Sequence, residues 1–355
     1  MRLRSILGEA ARDVGSGTAR AATLALLLAL GCGLLAGIDA LAVVQLEARA
    51  ETYRGSAADT LALSAPGRID ARACDGLEGV GGIEAAGALR AADPVRARAL
   101  PGRDLAAFTV SPALAGLVGA HGAETGGVWV SEELARMLDI RPGEELLSVD
   151  GPVRVAATFP WPDDGRDVRL RLAVLMPDAG AAPYDECWAR AWPPTAADQD
   201  WLRTAASVDP AAAEPATVAQ VNKVHGATFE GAALFAERPT RRAVDACALV
   251  GLLMGVAAVR RRRLEHAAAL HVGQSRSALI AVALVEAAVW AVTGAGVCLV
   301  ALLVVVGRAG VQDLDAVLTL AARGPTLGAA GALVGTALGA LAVRERHLFR
   351  YFKNR

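Results

Sequence analysis

The chain holds five histidines, His121, His225, His266, His271 and His347. Only His266 and His271 are close in sequence, and on a helix an i, i+5 pair does not share the stripe that i, i+4 metal ligands share. No HExxH, CxxC or GxSxG pattern occurs. The run Gly15-Ser16-Gly17-Thr18-Ala19-Arg20 has the glycines and hydroxyls of a phosphate loop but neither its lysine nor a strand before it, and GxxxxGK[ST] occurs nowhere. The acid pair Asp163-Asp164, between Pro162 and Gly165, reads as a solvated turn. The sequence therefore predicts no metal site, no cofactor and no catalytic group of its own. Any nucleotide hydrolysis linked to it would belong to a separate chain.

The informative charges are Asp39, Asp245 and Glu286, because each stands in a long apolar block, where an ionised side chain is costly. Of 355 residues, 54% are hydrophobic and only 4% aromatic, and the surplus is gathered into blocks. That distribution excludes a single soluble globule and a disordered chain. Four blocks approach the roughly 20 apolar residues that a helix needs to cross a bilayer: 21–44, 243–259, 278–306 and 325–343. The second is short, and the fourth opens on Pro325, which a first helical turn accepts. Asp39 and Asp245 fall near the ends of their blocks, an interfacial place. Glu286 lies deeper, one or two helical turns from the basic loop; snorkelling to the interface or a partner in that loop would accommodate it. Cleavage after Ala40-Leu41-Ala42, as in a signal peptide, is the alternative for the first block.

Basic residues orient the spans. Arg2, Arg4, Arg12 and Arg20 precede the first; Arg260, Arg261, Arg262, Arg263 and Arg276 separate the second and third; Arg344, Arg346, Arg350, Lys353 and Arg355 follow the fourth. Four crossings put all three groups on one side, and the positive-inside rule makes it the cytoplasm. The expected plan is a multi-pass protein of the cell (plasma) membrane with both termini cytoplasmic. It comprises an amphipathic N-terminal helix (1–20), helix 1 (21–44), an extracytoplasmic domain (45–242) and helix 2 (243–259). A cytoplasmic loop (260–277), helix 3 (278–306), a short outer loop (307–324), helix 4 (325–343) and a basic tail (344–355) complete it. The outer segment carries 28 acidic and 20 basic residues, against 9 and 16 elsewhere.

Within the outer segment, 45–57 is helix-permissive and could extend helix 1 as a stalk. Thr60–Ser64, Val95–Leu100 and Val168–Pro177 alternate as strands do, and Asp70–Leu77 reads as a short helix. Ser131 should cap a helix over Glu132–Leu138, with two strands around Asp150-Gly151-Pro152 after it. Pro193-Pro194 and Val208–Pro215 read as linkers. The fold class is thus a membrane protein of four transmembrane α-helices, one before and three after a large extracytoplasmic α+β domain. Cys74 and Cys187 are the only cysteines of that domain; a disulfide is the simplest reading and two buried thiols the other.

The segment RRRRLEHAAALHVGQSRSALIAVALVEAAVWAVTGAG, Arg260–Gly296, resembles the FtsX-like (MacB-type) ABC transporter permease family. There a basic run leads to a glutamate, a short helix, a Gly-x-Ser turn and a membrane helix with an early glutamate. These positions fall here on Arg262, Arg263, Glu265, Gly273, Ser275, Glu286 and Gly294. Ala267, Leu270 and His271 depart from the residues usual in that family. The N-terminal stretch of Leu3, Ile6, Leu7, Ala10, Ala11 and Val14 is similar to its interfacial helix, and Val130–Phe159 looks like an element of its outer domain.

The resemblance implies a permease subunit that passes the work of a separate ATPase subunit to the outer domain, for export or mechanotransmission. It also implies a homodimer, or a heterodimer with a second permease, held in membrane lipid and with no nucleic acid partner. The rival reading is a membrane regulator of an extracytoplasmic cell-wall hydrolase or sensor. A helix near 262–272 would align Glu265, Ala268, Ala269 and Val272 as the face offered to the ATPase, with Gly273 ending it and Ser275 capping the next helix.

Overall fold

The computed structural model describes residues 3–122, 126–180, 182–208 and 215–344. The predicted features at Arg2, 209–214 and 345–355 lie outside the described residues. The chain divides into a helical unit, Met1–Arg49 with Gly231–Arg355, and a sheet unit, Ala50–Glu230.

In chain order, helices α1 (Leu3–Gly15) and α2 (Ala21–Gly55) lead to strand β1 (Thr60–Ile69), α3 (Ala71–Asp75), β2 (Ile83–Arg96) and β3 (Asp104–Val110). Next come α4 (Leu114–Val118), β4 (Val128–Ser131), α5 (Glu132–Leu138), β5 (Glu145–Ser148), β6 (Gly151–Phe159), β7 (Ala173–Pro177) and β8 (Tyr184–Ala191). Helix α6 (Ala196–Arg203), β9 (Thr217–Gln220), α7 (Gly231–Glu237), α8 (Ala243–Arg261), α9 (Arg263–His271), α10 (Arg276–Gly307) and α11 (Leu314–Ala342) complete the chain. Four helices, α2, α8, α10 and α11, are long and apolar enough to cross a bilayer. One lies before an α+β region and three after it.

In the helical unit α8 packs on α11 through facing small residues. A Cβ on Gly251 would run into the Gly328 carbonyl, and one on Gly335 into that of Leu252. Glycine is required there because the backbones themselves touch, as small residues permit between membrane helices. Helix α11 begins at Leu314, eleven residues before the expected start at Pro325. Asp313 caps it, accepting from the Ala316 N–H at 3.1 Å. Pro325 is internal, and the Thr326 hydroxyl donates to the Ala322 carbonyl at 2.9 Å in that turn. Helix α2 takes the stalk option and runs past Val44 to Gly55 through residues of good helix propensity.

The sheet unit is one mixed sheet of nine strands in the order β5-β6-β4-β7-β3-β2-β8-β1-β9. Strand β8 pairs antiparallel with both β1 and β2. Alternation along it sends Trp188 to one core, with Phe108 and Leu114, and Cys187 to the other, with Leu63, Cys74 and Leu202. A third cluster joins α5, through Leu134, to β4 and β6. Ser131 caps α5, accepting from the Leu134 N–H at 3.3 Å. Two strand expectations change. Val168–Leu170 is a 3-10 turn rather than strand, because the Asp167 carboxylate accepts from the Arg169 N–H at 2.9 Å and binds its guanidinium. Strand β2 ends at Arg96, where Val95–Leu100 was expected to begin one; a turn with Leu100 N–H on the Ala97 carbonyl follows.

Cys74 and Cys187 form a disulfide that fastens α3 to strand β8 across a separation of 113 residues. Replacing both by alanine should destabilise the sheet unit by about 2–5 kcal/mol, since a loop that long loses much closure entropy in the unfolded chain. Chemical unfolding of the full chain followed by tryptophan fluorescence will measure it; an unchanged midpoint would contradict this role.

Asp59, between α2 and β1, is 1% exposed, and burial pushes its carboxyl up to about 6 against the pull of Arg190 and Arg54. The folded value lies above the unfolded one, so its contribution is most favourable below pH ~4 and is lost as pH rises through 6. Asp59→Asn should therefore stabilise the sheet unit at pH 7.5 by about 1–3 kcal/mol, with the gain gone at pH 4. Paired unfolding curves at the two pH values test the sign.

Candidate functional site

Helix α8 stops at Arg261 because Arg262 leaves helical geometry, at φ −99° and ψ 14°, and α9 starts on the next residue. The Arg262 side chain sits at the centre of this corner. Its Nη1 donates to Glu286 Oε2 at 2.7 Å, its Nη2 to Asp13 Oδ2 at 2.6 Å, and its Nε to Glu265 Oε2 at 2.7 Å. One guanidinium thereby joins α1, α9 and α10. Its rigid fork of donors suits several carboxylates where a lysine would meet one.

The cluster is largely removed from water: the Arg262 side chain is 17% exposed and that of Glu286 10%. Burial raises the Asp13 carboxyl, but its contacts with Glu286 and Arg262 outweigh this and hold it below the usual range. His266, buried beside them, is kept below its ordinary value by burial and by the charge of Arg262, so the ring is neutral at neutral pH.

The two faces of α9 differ. Ala267 is completely buried against Val259, Leu279 and Ala340, with Leu270 packed at the edge. Glu265, Ala268, Val272, Gly273 and Ser275 are exposed, and Ala269 is half-buried. Arg263, also half-buried, opens the helix. At its end the Gln274 N–H donates to the Ala269 carbonyl at 3.0 Å and the Gly273 N–H to that of Leu270 at 3.1 Å. This six-to-one and five-to-two pairing needs a residue of positive φ, and Gly273 has φ 92°. Ser275 then caps α10, accepting from the Ala278 N–H at 3.3 Å. The result is a short helix ended by a Schellman turn and tied near its start by Arg262 to Glu265, one face packed and the other bare.

Other sequence-selected residues lie apart from this corner. Asp39 is buried in α2, paired with Arg238 Nε at 2.8 Å. Asp245 is exposed in the first turn of α8, where the helix dipole favours a carboxylate. Cys74 and Cys187 belong to the sheet unit. Sequence reading missed Asp13 and Arg238. The only signal for Asp13 was that, with Glu9, it is acidic in an otherwise basic stretch. Ala267 and Leu270, two of the three departures from the family pattern, form the buried side of α9, and His271 is exposed in its last turn.

No protein-family model matches the chain, and no curated protein is significantly similar to it. Among solved structures it is similar to the periplasmic region of MacB from Actinobacillus actinomycetemcomitans, at 10% identity over 43% of this chain and 86% of that one, with a TM-score of 0.33. It is also similar to the extracellular domain of the noncanonic ABC-type transporter YknZ from Gram-positive bacteria, at 14% identity over 40% and 88%, with a TM-score of 0.28. A third is a domain of a protein from Porphyromonas gingivalis described as a permease, at 12% identity over 52% and 99%, with a TM-score of 0.33. Identities and TM-scores are low throughout.

Removing Arg262 leaves Glu286 in an apolar helix without its cation. Arg262→Leu should lower stability by about 3 kcal/mol, the order seen when one member of a buried ion pair is lost. Adding Glu286→Leu should recover part of it. Thermal unfolding in detergent of wild type, single and double variants gives the comparison; a double variant less stable than the single one would rule the pairing out.

Proposed function

We propose that the chain is the permease subunit of an ABC system of the FtsX/MacB-like kind, with ATP hydrolysis carried out by a separate subunit. The observation that carries the reading is α9: a short helix between two spans, stapled by the Schellman turn at Gly273 and the Ser275 cap, with Ala268 and Val272 bare. An exposed apolar stripe on a rigid peg fits a groove on a soluble motor, whereas a mere topology anchor would need only the arginines. The sequence resemblance across Arg260–Gly296 supports the same role.

On this reading both termini are cytoplasmic, the sheet unit is extracytoplasmic, and the protein works as a dimer of permeases in the plasma membrane. Movement of α9 reaches α1 and α10 through Arg262, since all three hold the same guanidinium. Helix α2 is continuous from Ala21 to Gly55 and is one of the two covalent connections out of the helical unit. The chemistry of this device is mechanical: it needs stiff elements and paired charges, not a catalytic residue.

Ala268→Glu would place an unpaired charge in the contact, and Gly273→Val would strain the stapled end of the peg. Each should reduce retention of an ABC ATPase by about tenfold or more, in line with the cost of a desolvated lone charge, while the chain still inserts. The measurement is affinity purification from the source membranes, with the ATPase identified by mass spectrometry and its nucleotide turnover assayed in the complex. Equal retention and turnover in wild type and both variants would overturn the proposal.

A further inference from the structure

The turn joining α1 to α2 and the end of α8 enclose a cleft of about 400 Å³ whose lining includes Gly17, Arg20, Thr23, Arg261, Arg262 and Glu265. Three arginines thus face one glutamate. Arg262 is engaged with its carboxylates, and the Glu265 charge is compensated by that arginine at 2.7 Å. Arg20 and Arg261 have exposed side chains, and among the described residues neither makes an ion pair. Two uncommitted guanidinium groups therefore share one concave site.

The turn is built, not loose. The Ala19 N–H donates to the Asp13 carbonyl at 3.1 Å and the Arg20 N–H to that of Gly17 at 3.0 Å. The Thr18 hydroxyl also donates to the Asp13 carbonyl, at 3.0 Å. Arg20 itself is held at φ 48°, a left-handed conformation that an arginine adopts only under constraint. The constraint fixes the backbone from which this cation projects beside Thr23 on the first turn of α2.

The place of the cleft selects its ligand. It lies where two apolar spans end, α2 at Ala21 and α8 at Arg261. Further along the same two helices Leu26 and Leu27 of α2 and Leu253 of α8 are exposed. A ligand with an anionic head and hydrocarbon tails satisfies both ends. Guanidinium forks match phosphate oxygens in a bidentate way. We infer that this cleft binds the phosphate of an anionic phospholipid, with Arg20 and Arg261 as its cationic ligands. The inference requires only that α2 and α8 cross a bilayer; it does not depend on the ATPase reading, and its failure would leave that reading untouched.

The test is native mass spectrometry of the full chain released from nanodiscs of phosphatidylglycerol and phosphatidylcholine. Wild type should retain phosphatidylglycerol in preference. Arg20→Gln/Arg261→Gln should cut that preference by about tenfold or more, as the loss of two charge-assisted phosphate contacts implies. Its thermal midpoint should stay unchanged, because neither arginine pairs with a carboxylate. Arg12→Gln/Arg276→Gln removes the same charge elsewhere in the basic segments and should leave the preference intact. An unchanged preference in the first variant, or an equal loss in the second, would overturn the assignment. So would displacement of the lipid by inorganic phosphate, which would make the ligand a soluble anion.

Discussion

Glu286 is a carboxylate in the middle of an apolar stretch, and the helical unit is arranged around the need to give it a cation. Arg262 supplies it, and to do so must leave the helix that precedes it. That break creates the corner between α8 and α9. The same guanidinium then has two donor directions left, and these reach Asp13 on α1 and Glu265 on α9. One buried charge thus determines where a span ends, where the short helix starts and where the N-terminal helix rests. Geometry this specific is the use to which a costly buried ion cluster is best put, since hydrophobic packing alone would allow many registers.

The α8–α11 crossing meets a different demand by different means. No charge holds it; backbone touches backbone at Gly251 and Gly335, so attraction comes from close van der Waals contact. The sheet unit uses a third means. Strand β8, paired on both sides, carries Trp188 to one face and Cys187 to the other, and the disulfide ties α3 to it. Small helices over a wide sheet bury limited area each, and the covalent link offsets that.

Around the corner, bare and satisfied groups separate cleanly. Ala267 is buried in the packing with Leu270 at its edge, whereas Ala268 and Val272 are exposed beside the Schellman turn that ends the helix. Arg262 holds three carboxylates while Arg20 and Arg261, on the same cleft, have none among the described residues. The corner thus presents two surfaces for other molecules: a small apolar one and a cationic one.

What the sequence determined is everything governed by local composition and period. The four spans were legible as apolar blocks because a helix in lipid must be apolar along its whole length. The Ser131 cap, the Gly273 turn and the Ser275 cap were legible because each depends on a residue type at a fixed offset. Tertiary structure alone decided what depends on partners distant in sequence. That Asp13 lies 249 residues from the arginine it binds left no mark in either neighbourhood. The partner of Asp39 is Arg238, on a segment 199 residues away, and nothing near either residue announced the pair. Val168–Leu170 alternates like a strand, yet the local bond from Asp167 and the pairing of Arg169 with Glu186 turn it into a 3-10 element. Helix α11 passes through Pro325 because Asp313 starts it upstream and packing on α8 carries it on. A proline marks where a helix can begin only when nothing before it supplies a cap.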